Sequence, residues 1–132
     1  SSVALLTIDL DDFKAVNDTH GHAVGDDVLR AVGLRLRAVS RSGDVVARLG
    51  GDEFVVLLDP PPDPLAEVVD RVASTLAEPV IVGDRVIRCT GSVGAAVGSV
   101  DGLMERADDA MYRAKRSRST AARMSDRSSA DA

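Results

Sequence analysis

Two short apolar runs that flank a glycine pair place the strongest constraint on how this chain folds. Val45–Leu49 and Phe54–Leu58 are rich in β-branched and leucine residues, and Gly50-Gly51 separates them. This arrangement predicts a β-hairpin, because glycine takes the positive φ of a tight turn without steric cost. Asp52 and Glu53 follow and place two carboxylates at the lip of the hairpin. The pattern favours a cation or phosphate site, although an acidic, solvated turn would have the same sequence.

A nearly continuous apolar run, Val3–Leu10, predicts a strand that is buried on both faces. Its exception is Asp9, near the carboxyl end. A carboxylate in a buried strand is costly unless it is paired or bound to a cation. Asp9 is therefore a candidate cation ligand, and the alternative is that it caps the turn that follows.

The remaining patterns predict alternating helices and strands around one core. Residues 11–22 favour a loop with a brief helix, and a long amphipathic helix follows from Gly25 to about Ser40. The glycines of 91–97 indicate that another backbone or a ligand approaches that strand closely. The order of elements predicts an α/β fold, an α+β sandwich with a mixed central sheet flanked by helices. Further elements are predicted as a helix after Pro64, a hairpin over 80–90 and a last helix after Asp101.

Composition limits the classes of partner. The 132 residues correspond to a single domain, expected over 1–116, with a disordered tail over 117–132. A net charge of −5 and an aromatic content of 2% argue against nucleic-acid binding. Cys89 is the only cysteine, which fits a reducing compartment. We expect no direct membrane contact and a cytoplasmic location. We also expect the chain to be a piece of a larger protein, which another segment could attach to a membrane.

Five motifs follow one another along the chain: Asp9–Asp18, Gly21–Asp26, Arg48–Phe54, Ser92–Gly94 and Ala107–Lys115. Together they resemble those of the GGDEF family of diguanylate cyclases. The resemblance covers about Val3 to Lys115 and implies a fold similar to class III nucleotide cyclases and polymerase palm domains. It also implies Mg²⁺-dependent condensation of two GTP into cyclic di-GMP across a homodimer, with release of two pyrophosphates.

The resemblance implies a two-metal site, in which Mn²⁺ could replace Mg²⁺. Asp9 and Asp52 match the family's metal ligands, and the carbonyl of Leu10 matches a backbone ligand. Hard oxygen ligands of this kind suit Mg²⁺, which uses one or two protein carboxylates plus substrate phosphates. Asp52 and Glu53 together match residues that coordinate metal and assist deprotonation of the 3′-hydroxyl, and their separate roles stay open.

The resemblance also implies a guanine pocket and a phosphate cradle. Asn17 and Asp26 match the base-reading pair, whose hydrogen-bonding groups complement guanine and not adenine. Lys14 and Lys115 match phosphate-contacting positions, and the backbone N–H groups of Asp12 and Phe13 are the expected cradle. For Lys115, a solvated lysine near a helix end is an equal alternative.

Arg41 and Asp44 form an Arg-x-x-Asp sequence just before the hairpin, similar to the family's inhibitory site for cyclic di-GMP. Arginine offers a bidentate fork to phosphate or guanine, and aspartate accepts from guanine. The alternative is an ion-paired turn. Two departures are visible, since the helix that usually precedes the first strand is absent and Ser117-Arg118-Ser119 replaces the usual Gly-Arg-Asn.

Three functions remain open from the sequence. The first is a diguanylate cyclase. The second is a catalytically silent regulatory module that binds GTP or cyclic di-GMP within a larger protein, for example one with a phosphodiesterase domain. The third is a purely structural domain, which would leave Asp9 in a buried strand without a cation.

Overall fold

A four-stranded antiparallel sheet forms the centre of the molecule. The computed structural model describes residues 2–123, with side chains up to residue 116. The spatial order of the strands in the main sheet is β2-β3-β1-β6, and β4 and β5 form a separate two-stranded sheet. In chain order the strands are β1 (Val3–Leu10), β2 (Val45–Gly50), β3 (Glu53–Leu58), β4 (Val80–Val82), β5 (Arg85–Ile87) and β6 (Gly91–Gly98).

Helices cover both faces of this sheet. One face packs against the first three helices through the main core, and the other packs against the last helix through a smaller cluster that includes Leu103 and Ala107. No helix in the described part of the chain is both long and apolar enough to cross a bilayer. In chain order the helices are α1 (Phe13–His20), α2 (His22–Val39), α3 (Leu65–Ala77) and α4 (Leu103–Arg123).

Strand β1 is buried on both faces, as its apolar run predicts. Leu6 and Ile8 belong to the main core, whereas Val3 and Leu5 belong to the cluster under α4. Thr7 is also buried, and its hydroxyl donates a hydrogen bond of 3.1 Å to the carbonyl of Ala107 in α4. Both sets of neighbours therefore fix the position of β1.

The predicted hairpin is confirmed, but its turn lies one residue further along. Gly50 pairs with Glu53 after a register shift at Arg48, so the turn residues are Gly51 and Asp52. Gly50 and Gly51 have φ values of 147° and 52°, which favour glycine at both positions. As a result Asp52 lies in the turn itself, and Glu53 begins β3.

The α+β class is confirmed, whereas the expectation of a mixed main sheet is wrong, because all three of its pairings are antiparallel. The helical crossover leads to the edge strand β2, and the hairpin then reverses the chain before β3 reaches β1.

Helix α2 begins at His22 rather than Gly25, since Gly21 alone replaces the expected loop. Helix α4 continues to Arg123, past the expected start of a disordered tail at 117, and residues 124–132 of that tail lie outside the described residues.

Two leucines of α2 provide a matched test of this packing. Leu36 is completely buried and Leu34 is 70% exposed. Leu36→Ala should lower the free energy of unfolding by about 3 kcal/mol, because it removes apolar contacts and leaves a cavity. Leu34→Ala should change it by less than about 0.5 kcal/mol. Urea denaturation of both variants measures the difference, and equal losses would contradict the placement of α2.

Candidate functional site

Three acidic residues from separate parts of the sequence meet at one end of the sheet. The register of β1 against β3 places Asp9 directly opposite Glu53. The backbone N–H of Leu10 donates to the carbonyl of Asp52 at 3.1 Å, which ties the hairpin turn to the end of β1. The predicted convergence of Asp9, Asp52 and Glu53 is therefore present in the fold.

The carboxylates of this acidic cluster repel one another. Burial raises the pKa of Asp52, and the neighbouring charge of Asp9 raises it further. Burial also raises the pKa of Glu53, followed by the charges of Asp108 and Asp9. Like charges directly opposite on adjacent strands destabilise a sheet. The cluster thus holds excess negative charge that a cation would neutralise.

Lys115 supplies one positive charge to this cluster. Its ammonium nitrogen lies 3.3 Å from Oδ2 of Asp9 and 3.6 Å from Oδ1 of Asp11. Helix α4 reaches this position because it packs closely on β6 at Gly94, where any Cβ atom would overlap the backbone of α4 at Ala107 and Met111. The close approach expected from the glycines of this strand is therefore made by a helix backbone.

The donor set suits a divalent cation that arrives with a ligand. Oδ1 of Asp108 is buried without a hydrogen-bond partner among the described residues. Within that same part of the chain, no group of three or more His, Cys, Asp or Glu side chains has the geometry to hold a metal ion by itself. Mg²⁺ commonly binds through one or two carboxylates and completes its shell with phosphate and water. The available carboxylates therefore fit Mg²⁺ in a ternary complex.

A cleft of about 410 Å³ lies beside the acidic cluster. It brings together Asn17 and Asp26, with Asp52 also in its lining, and it adjoins a wider depression of about 600 Å³ that shares Asp26. The two predicted base-contacting residues thus share a cleft with a predicted metal ligand. The lining residues of the smaller cleft are Phe13, Lys14, Asn17, Asp26, Leu29, Arg48, Gly51 and Asp52.

Gly25 determines where the amide of Asn17 lies. A Cβ atom at Gly25 would overlap Oδ1 of Asn17, so the missing side chain is the space that this amide occupies. Glycine inside a helix costs about 1 kcal/mol relative to alanine. Helix α2 has this unfavourable residue next to Asp26, and both Asn17 and Asp26 line the same cleft.

The predicted phosphate cradle lies at the start of α1. Asp12 has a left-handed φ of 53°, and Phe13 is the first residue of the helix. The first N–H groups of a helix lack intrahelical acceptors, and a left-handed residue followed by a helical one can direct consecutive N–H groups towards an anion. Lys14 lies on the exposed surface, where its ammonium pairs with Asp18 at 2.8 Å.

Arg41 and Asp44 form an ion-paired turn in this structure. The Asp44 side chain is 1% exposed and accepts from the backbone N–H and the guanidinium of Arg41. Burial alone would raise the pKa of Asp44, but the hydrogen bonds and charge of Arg41 lower it below its ordinary value. The guanidinium also donates to the carbonyl of Pro60 at 2.6 Å. Binding of a ligand to Asp44 would require this pair to open.

Two residues that shape the site, Arg48 and Asp11, were not predicted from the sequence. Arg48 lines the cleft and donates to the carbonyl of Gly51 at 2.6 Å, so it braces the hairpin turn. Asp11 is buried and accepts hydrogen bonds from Thr90 and Ser92, which are remote in sequence. Both lie within the family motifs, and this position alone could have indicated a role in the site. The partners of Asp11, however, follow only from the pairing of β1 with β6.

Comparisons with known proteins all identify the same family. The family model for the GGDEF domain of diguanylate cyclases matches residues 1–121. The chain is 42% identical over 118 residues to the bifunctional diguanylate cyclase/cyclic di-GMP phosphodiesterase MucR of Pseudomonas aeruginosa. It is 43% identical over 117 residues to the diguanylate cyclase DgcM of Escherichia coli. These alignments cover 85% of the chain in each case, but only 17% and 28% of the two relatives.

A solved structure of an EAL/GGDEF domain protein from M. capsulatus superposes with a TM-score of 0.81 at 44% identity. The match covers 88% of this chain and 79% of that one. Such domains have the palm-like fold of nucleotide cyclases, which agrees with the sheet and helices described above.

The crowding of carboxylates predicts a stabilising substitution. Since folding raises the pKa of Asp52, the folded state binds more protons than the unfolded state between the ordinary pKa and the raised one, and stability falls as the pH rises through that window. Asp52→Asn removes this repulsion and should raise the Tm of the ligand-free protein at pH 7 in the presence of a chelator. The gain should shrink as the pH falls towards the ordinary aspartate pKa. Thermal denaturation at several pH values measures it, and a lower Tm at pH 7 would contradict the description of the cluster.

Proposed function

Because the chain belongs to the GGDEF family of diguanylate cyclase domains, we propose that it condenses two molecules of GTP into cyclic di-GMP. The observation that supports this most directly is the meeting of Asp9, Asp52 and Glu53 beside the cleft that contains Asn17 and Asp26. The lining of the cleft offers polar groups for a base, and the neighbouring acidic cluster offers ligands for the cations of a triphosphate.

Guanine recognition is assigned to Asn17 and Asp26. The Asp26 carboxylate accepts from the N1–H and N2–H₂ donors of guanine, and the Asn17 amide both donates and accepts. Adenine lacks this donor pattern, and a site built to pair polar groups discriminates against a ligand that leaves them unpaired. The pocket therefore selects GTP over ATP.

The triphosphate lies between the start of α1 and the acidic cluster. The N–H groups of Asp12 and Phe13 donate to phosphate oxygens, and the ammonium groups of Lys14 and Lys115 offset their charge. For Lys14 this requires its exposed pair with Asp18 to open. Solvent screens exposed pairs of this type and they contribute little to stability, so the pair opens readily.

Two Mg²⁺ ions, or Mn²⁺ in their place, would be held by Asp9, the carbonyl of Leu10, Asp52 and Glu53, together with phosphate oxygens. When bound, such ions lower the pKa of an attacking hydroxyl and stabilise the charge on the leaving group. In this proposal Asp52 and Glu53 also assist the release of the 3′-hydroxyl proton. Their repulsion in the free protein favours binding of any group that brings positive charge.

The reaction joins the 3′-oxygen of one GTP to the α-phosphorus of the other while the bond to pyrophosphate breaks. A second, equivalent attack closes the ring and releases the second pyrophosphate. Each subunit presents one GTP, so the two clefts must face each other in a homodimer. The domain acts in the cytoplasm, and Arg41 with Asp44 bind the product as an inhibitor once their mutual ion pair opens.

A regulatory module is the second candidate, and the name of one relative favours it. NbdA of Pseudomonas aeruginosa, which is 39% identical over 119 residues, is named as a cyclic di-GMP phosphodiesterase alone, and this chain corresponds to only 15% of its length. In such an assembly the domain would bind GTP or cyclic di-GMP and act on its neighbour without turnover.

Incubation with GTP and Mg²⁺ at a protein concentration high enough to populate a dimer distinguishes these functions. We expect cyclic di-GMP to form, and Asp52→Ala to abolish its formation, as measured by chromatography of the products. GTP with Mg²⁺ should also raise the Tm while ATP does not, because a ligand that binds the folded state stabilises it. A guanine-selective rise in Tm without product would favour the regulatory module, and product formation by Asp52→Ala would contradict the catalytic assignment.

Gly25→Ala separates guanine recognition from stability. The added Cβ displaces the terminal amide of Asn17, which can rotate away, so the fold should lose little and could gain up to about 1 kcal/mol in helix propensity. The preference for GTP over ATP should fall by roughly tenfold or more, because Asn17 no longer reaches the base.

Gly33→Ala is the matched control in the same helix, since its Cβ would make only an ordinary contact of 3.7 Å with Phe54. It should leave nucleotide preference unchanged. Calorimetric titration with both nucleotides measures the effect, and identical behaviour of the two variants would refute the role of Gly25.

A further inference from the structure

Asp11 is a buried carboxylate for which the proposed chemistry has no use. Its side chain is 4% exposed, and it accepts from the hydroxyl of Thr90 at 2.6 Å and from that of Ser92 at 2.8 Å. Its backbone N–H also donates to the carbonyl of Thr90 at 2.8 Å. These bonds fix the orientation of the Asp11 carboxylate against the start of β6.

The ammonium of Lys115 is shared between this fixed carboxylate and an accessible one. It lies 3.3 Å from Asp9 and 3.6 Å from Asp11, whose side chains are 26% and 4% exposed. A ligand can therefore reach Asp9, whereas Asp11 is shielded and already accepts hydrogen bonds on both carboxylate oxygens. Lys115 is the link between the two.

We propose that Asp11 is a positioning residue that retains Lys115 beside the triphosphate when a cation occupies Asp9. The inference rests on the proposed function, since it assumes that Asp9 binds a divalent cation and that Lys115 contacts phosphate. A cation on Asp9 repels the ammonium that now lies against the same carboxylate. The lysine side chain is long and loses considerable rotamer entropy when it is held in place. The fixed charge of Asp11 keeps the ammonium from moving into solvent.

This role predicts an effect that depends on the phosphate chain of the ligand. The probes are GMP and a GTP analogue in which a methylene group replaces the α,β-bridging oxygen, so that pyrophosphate cannot leave. Both are titrated calorimetrically into the full chain in the presence of Mg²⁺. Asp11→Asn keeps the shape and an acceptor for the hydroxyls but removes the charge. It should weaken binding of the analogue roughly tenfold and leave GMP binding unchanged.

A double-mutant cycle with Lys115→Gln tests whether the two residues act together. Each single variant should lose about the same affinity for the analogue, and the double variant should lose little more than either, because Asp11 acts through Lys115. Asp70→Asn, the same chemical change at an exposed position of α3, is the control and should bind both ligands as the wild type does.

Thr90→Val keeps the test decisive if Asp11→Asn does not fold, as judged by its thermal denaturation. This variant leaves the charge of Asp11 in place but removes one of the bonds that fix it, and it should weaken binding of the analogue by roughly threefold without affecting GMP. Unchanged binding of the analogue by the folded variants, equal weakening of both ligands, or additive losses in the cycle would overturn the inference. Failure of the wild type to bind either ligand would overturn the proposed function as well, whereas normal wild-type binding with any of those results overturns the inference alone.

Discussion

The hydrogen-bonded register of β1 determines where the reactive side chains of this protein meet. With β3 on one side and β6 on the other, the last residues of β1 lie opposite Glu53 and Ser92. A shift of one residue would send Asp9 to the opposite face of the sheet. The register is held because alternate residues of β1 fill two different apolar clusters, so a slip would expose both sets at once. Burial in the middle of the strand thus positions a charge at its end.

The site combines repulsion with support from neighbouring elements. Asp9, Asp52 and Glu53 are held together by backbone pairing even though their charges oppose it. Helix α4 contributes Lys115, which offsets part of that charge, and the shielded Asp11 lies on the other side of the same ammonium. Such a site is less stable when empty than when filled, as expected where strain serves binding. By contrast, the charges of Arg41 and Asp44 neutralise each other, and their ion pair stabilises the turn before β2.

Much of this arrangement could be predicted from the sequence, for reasons that are local. The apolar run of β1, the two glycines of the hairpin and the amphipathic pattern of α2 each follow from short-range periodicity and turn chemistry. The predicted turn lies one residue too early, because the register shift after Arg48 depends on how β2 pairs with β3. The prediction of a mixed sheet is wrong, because the order and direction of strands in a sheet are not local properties of the sequence. For the same reason the environment of Asp11, which depends on residues about 80 positions away, could not be predicted.

Gly94 has a consequence that reaches beyond packing. It contacts no proposed substrate, yet even a methyl group there would push α4 outward and carry Lys115 away from the carboxylates. The side chain allowed at this position therefore affects the acidic cluster as well as the packing of α4. A survey of tolerated substitutions should find Gly94 strongly restricted, although it lies outside the acidic cluster.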